Sequence, residues 1–173
     1  TTKGVDEARI REISAMKNEP EWMLDIRLKA LKIFFEKPMP TWGGDMSAID
    51  FQNIFYYLKP LDHAGKTWDD VPPEVKATFE KIGVPQAERE ALAGVKSQYD
   101  SEVIYGSLKA SLAQKGVVFL GMDEGLKQYP ELVKKYFGSV IPIGDNKLAA
   151  LNSAAWSGGS FIYVPKGVKI DKP

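Results

Sequence analysis

His63 directly follows Asp62, and an imidazole beside a carboxylate can serve general acid–base chemistry. Neighbours in sequence rarely converge on one reacting atom, and the stretch Lys59–Asp70 around them is polar. A solvated loop histidine is therefore the simpler reading. Asp69, Asp70 and Glu74 offer oxygen ligands for a divalent cation. No other carboxylate falls at calcium-loop spacing, and these residues equally suit the cap and acidic first turn of a helix. Ser157-Gly158-Gly159-Ser160 invites comparison with a phosphate loop. A phosphate cradle, however, places its backbone N–H groups ahead of a helix, whereas here a helical pattern comes first and a strand-like one follows. Lys166, Lys169 and Lys172 interleave with Phe161, Tyr163 and Ile170, a mixture able to touch single-stranded nucleic acid. Asp171 dilutes that patch, and such lysines also make an ordinary wet face. The aromatic group Phe51, Phe55, Tyr56 and Tyr57, with Trp22 and Trp42, is read as core.

Composition narrows the chemistry further. The chain has 173 residues, 23 basic and 23 acidic, one His and no Cys. Zero net charge disfavours non-specific nucleic-acid binding, which needs a basic excess. Without Cys there is no disulfide, thiolate nucleophile or thiolate-held metal within these residues. A single His excludes two-His metal sites. A hydrophobic share of 44% and a charged share of 27% describe a globular chain large enough to bury a core. No apolar run reaches the roughly 18 residues needed to span a bilayer. The polar start TTKGVDEARIREIS lacks a secretory pattern, so a cytoplasmic location is expected.

The elements that would position these residues are mostly helical. Ile10, Ile13 and Met16 repeat within Val5–Lys17, which predicts a short amphipathic helix. A second helix starts near Pro20 and runs to about Lys37, with Leu24, Leu28, Leu31 and Phe35 as its stripe. Arg27, Lys29 and Lys32 are expected on its wet face. Lys37–Asp45 is a loop, and Asp50–Leu58 suits either a helix or a strand. Further helices are expected over Val71–Ile82, Pro85–Leu92, Leu108–Lys115, Asp123–Phe137 with a break near Pro130, and Asn146–Trp156. Strands are expected at Ser101–Tyr105, Val117–Leu120 and Phe161–Val164, with another opening at Val168–Ile170. The residues alone thus describe an α+β chain with no visible catalytic set.

The tail LNSAAWSGGSFIYVPKGV, from Leu151 to Val168, closely resembles a stretch of the SufB/SufD family of iron–sulfur cluster assembly proteins. Asn18–Leu24, Arg27–Leu31, Pro38–Gly43, Ala91–Val95 and Gln98–Tyr105 resemble the amino-terminal region of its SufB branch rather than the SufD branch. The resemblance runs from about Glu12 to Lys169. It implies a scaffold rather than an enzyme, with a helical domain over residues 1–145 and the opening strands of a parallel β-helix core over 146–173. It also implies partnership with SufD, the ATPase SufC and a cysteine desulfurase system. The cluster-holding residues of the family lie in the β-helix and beyond. None carries over to this cysteine-free chain, so no catalytic, cofactor-binding or metal-ligating residue is assigned and no cofactor is expected within it. A β-helix needs several stacked rungs. The chain is accordingly expected to be an amino-terminal fragment whose last stretch, from residue 146, is poorly supported. Two other readings are a stand-alone partner-docking module with no cluster chemistry and a small hydrolase using Asp62, Asp69, Asp70 or Glu74.

Overall fold

The computed structural model describes residues 2–59, 72–81, 94–99, 101–108, 110–171 and 173. The expectations for His63, Asp62, Asp69, Asp70 and the helix Pro85–Leu92 fall outside these residues. The chain divides into two compact units, one of Thr1–Leu58 with Leu126–Ser157 and the other of Lys59–Gly125 with Gly158–Pro173. They interleave along the sequence. The mixture of helix and strand agrees with an α+β chain.

In the first unit, α1 spans Glu7–Lys17. Asp6 caps it by accepting the Arg9 N–H at 2.8 Å, and Asn18 ends it in the left-handed conformation at φ 51°. Ile10, Ile13, Ser14 and Lys17 are buried, while Met16 is 51% exposed. At 3.6 residues per turn, Met16 points about 120° away from Ile10, whereas residue 17 returns to within about 20° of it. The inward stripe therefore continues through a lysine, not through Met16.

Helix α2 spans Glu21–Glu36 with Pro20 as its extended N-cap. Its buried residues are Met23, Arg27, Ala30, Leu31 and Phe34. Leu24 and Leu28 are only partly buried and Phe35 is 55% exposed. The inward stripe therefore has the expected spacing but sits one residue earlier, which turns it by about 100°. Arg27, expected on the wet face, lies at 0% exposure in the middle of that stripe.

The next described elements of this unit are a 3-10 turn at Phe51–Asn53 and two helices, Pro130–Tyr136 and Lys147–Ala155. Asp50 accepts the Gln52 N–H at 2.9 Å, and residues 54–59 beyond the turn are neither helix nor strand. The expected break at Pro130 occurs: α5 covers Met122–Gln128 and α6 starts afresh at Pro130 and ends at Tyr136. Helix α7, Lys147–Ala155, is capped by Asn146, whose Oδ1 accepts from Leu148 at 2.9 Å and Ala149 at 3.0 Å. It packs along α2, where the small Ala150 and Ala154, both at 0% exposure, permit close approach. They share a core with Val5, Ile10, Ile13, Ala30, Leu31, Phe34 and Tyr57. Helix α7 is thus well supported, although it lies inside the stretch expected to be poorly held. Lys147 Nζ donates to the Phe34 carbonyl at 2.6 Å and the Lys37 carbonyl at 2.9 Å, which satisfies the open end of α2.

In the second unit, α3 covers Pro73–Lys81 and α4 covers Ala110–Ala113. Strands β1 (Gly94–Tyr99) and β2 (Glu102–Leu108) pair antiparallel from Gly94↔Leu108 to Tyr99↔Glu102, with an irregularity between Ser97 and Gln98. Strand β1 has no counterpart among the strands expected from the sequence. Strands β3 (Val118–Gly121) and β4 (Ser160–Tyr163) also pair antiparallel, from Val118↔Tyr163 to Gly121↔Ser160. Every ladder among the described residues is antiparallel. Val168–Ile170, expected to open a further strand, joins no ladder among the described residues. The chain turns there instead, with the Val168 N–H on the Pro165 carbonyl at 3.1 Å.

Candidate functional site

The most concentrated polar chemistry of the first unit lies at the turn between α1 and α2. Arg27 Nε and Nη2 donate to the two carboxylate oxygens of Glu19 at 2.7 and 2.6 Å. Both side chains are sealed from solvent, at 0% and 1% exposure. The forked guanidinium matches the carboxylate, a fit that a lysine could not reproduce. Arg27 Nη1 donates to the Ala154 carbonyl at 2.8 Å, and Nη2 donates to the Trp156 carbonyl at 2.9 Å. These carbonyls end α7 and lack N–H donors within the helix, so Arg27 satisfies them and places positive charge at the negative end of the helix dipole.

Trp156 roofs this group. The Arg27 guanidinium carbon stands 4.6 Å from its ring centroid, and Lys17 Nζ stands 5.5 Å from the same ring. Lys17 also lies 5.4 Å from the ring of Tyr57. Lys17 is itself 6% exposed. Two cations therefore share an aromatic surround with one carboxylate, an arrangement stabilised by cation–π attraction in a dry site. Trp156 Nε1 is buried with no hydrogen-bond partner among the described residues. No hydroxyl or thiol nucleophile joins this group in the described contacts. What the arrangement accomplishes is attachment: it ties the α1–α2 turn to the end of α7.

Close by, an open groove of about 370 Å³ is lined by Tyr56, Leu148, Leu151, Asn152, Ala155, Trp156 and Ser157. The Tyr56 hydroxyl donates to the Phe51 carbonyl at 2.9 Å. Burial raises the Tyr56 pKa above its ordinary 10.0, helped by the negative charge of Asp50.

The candidates taken from sequence do not converge. Glu74 is exposed in the first turn of α3. Among the described residues no three His, Asp or Glu side chains form a metal-holding group. The Ser157–Ser160 segment does run from helix into strand, as its order implied. The Gly159 N–H is already given to Gln98 Oε1 at 3.0 Å, so it is engaged in an internal hydrogen bond rather than left for a phosphate. Lys166 and Lys169 are exposed, with Lys169 3.4 Å from Asp171. The aromatic group splits. Tyr57 is buried at 2% exposure and Phe51 packs edge-on against Phe34, but Phe55 is 47% and Trp42 62% exposed. The reading of all six aromatics as core is corrected on that point: Phe55 sits under Lys3 at 5.4 Å rather than inside.

Arg27, Glu19, Lys17 and Trp156 were not singled out together by the sequence. One signal was present, a charged residue inside the otherwise apolar spacing 23, 27, 30, 34 of α2. Among the described residues no helix is long and apolar enough to cross a membrane.

The sequence is similar to known proteins. Residues 13–173 match the family model described as the SufBD protein N-terminal region. The iron–sulfur cluster assembly SufBD family protein of Staphylococcus aureus strain USA300 is 57% identical over 171 residues, covering 99% of this chain and 37% of the relative. The corresponding protein of Staphylococcus haemolyticus strain JCSC1435 matches with the same identity and coverage. The chain thus spans 37% of the length of these curated relatives. With a family model covering nearly every residue and relatives this similar, the chain belongs to the SufBD family.

Proposed function

We propose that these 173 residues act as the amino-terminal portion of a SufB-type scaffold on which iron–sulfur clusters are assembled. The observation that carries this reading is the match of residues 13–173 to the family's N-terminal region, supported by relatives named for cluster assembly. On this reading the chain is a scaffold component rather than an enzyme. It works in the cytoplasm beside SufD, the ATPase SufC and a cysteine desulfurase system. The 173 residues contain no Cys, so the thiolates that accept sulfur or hold a cluster come from elsewhere in the assembly. The cluster is cargo, and no cofactor is assigned to this portion.

The same proposal divides the chain into a helical part, 1–145, and a part, 146–173, that leads into a parallel β-helix. The contribution of the described residues is then mechanical. Glu19 and Arg27 fix the end of α7, and the polypeptide leaves that fixed end toward β4.

A chimera tests this reading. The matched 171 residues of the Staphylococcus aureus relative are replaced by this chain in cells whose own copy is removed. Growth and the activities of iron–sulfur enzymes are expected to return. A chimera that accumulates intact while those enzymes stay inactive would overturn the proposal. Rescue by the 173 residues alone would point instead to a self-contained docking module.

A further inference from the structure

No further inference is drawn: the strongest candidate, the open groove between Tyr56 and the Leu148, Leu151 and Ala155 face of α7, is an unpartnered apolar face and nothing in the structure shows what covers it.

Discussion

Arg27 and Glu19 form a two-pronged ion pair, at 2.6 and 2.7 Å, across the turn joining α1 and α2, with neither side chain open to solvent. Taking two charges out of water is costly, and the attraction between them offsets that cost only when the geometry is good and the remaining donors are satisfied. Here the Ala154 and Trp156 carbonyls supply the remaining acceptors. The pair therefore links segments more than a hundred residues apart in sequence.

Removing one partner leaves the other charge stranded. Glu19→Ala is expected to lower the unfolding free energy by about 3–5 kcal/mol. Arg27→Lys is also expected to weaken the fold, because an ammonium cannot bridge both carboxylate oxygens and both carbonyls. The apolar pair Glu19→Leu with Arg27→Met should recover a large part of the Glu19→Ala loss. Urea unfolding of the four proteins checks this, and a Glu19→Ala loss below about 1 kcal/mol would remove the pair from any central role.

The cap of α7 is a separate test. Asn146→Ala loses two hydrogen bonds to Leu148 and Ala149 and is expected to cost about 1 kcal/mol. Amide exchange should quicken first in the opening turn of α7, while α1 stays protected. Equal acceleration in both helices would show that the cap acts on the whole unit.

Two glycines in the second unit are held by their surroundings. A Cβ on Gly125 would lie 2.6 Å from Phe161 Cγ, so Gly125→Ala forces the ring to move. A loss of about 1–3 kcal/mol is expected. Combining it with Phe161→Ala should cost less than the sum of the two single changes, since the clash then disappears. Gly158 has φ +65°, and its Cβ would lie 2.5 Å from Gln98 Oε1. Gly158→Ala therefore adds backbone strain to a clash, and trimming Gln98 to Ala should relieve only the clash. Additive losses in the Gly125 and Phe161 cycle would show that the two do not meet.

Tyr56 gives a pH signature. Its folded pKa is raised above 10.0, first by burial and then by Asp50, so the fold favours the neutral phenol. The corresponding stability is fully present below the unfolded-state pKa and is lost as the pH rises through about 10 toward the folded value. The effect is modest because the side chain is only partly buried. Thermal unfolding of the wild type and Tyr56→Phe across this range should show a steeper decline for the wild type. Parallel curves would mean that Tyr56 ionises with equal ease in both states.

What the sequence determined by itself was local, and it also identified the family. Asn146 ahead of an Ala-rich run, Pro130 inside a helical pattern and the short apolar run of β4 all act within a few residues, and each predicted element is present. Long ungapped blocks pointed to the SufB/SufD family, which the family match bears out. Only the tertiary structure decided which face of α2 turns inward. Its apolar residues cover so much of the circumference that stripes one residue apart, through Leu24 or through Met23, have the same spacing. What separates them is Arg27, a residue that local pattern assigns to water. Its burial depends on a carboxylate eight positions back and on two carbonyls more than a hundred positions ahead. Strand β1 was hidden for a similar reason, since GVKSQY carries no sustained apolar alternation and takes its extended form in register with β2. Periodicity reports how a segment is shaped. The phase of that segment, and the satisfaction of its buried charges, depend on which distant groups fold against it.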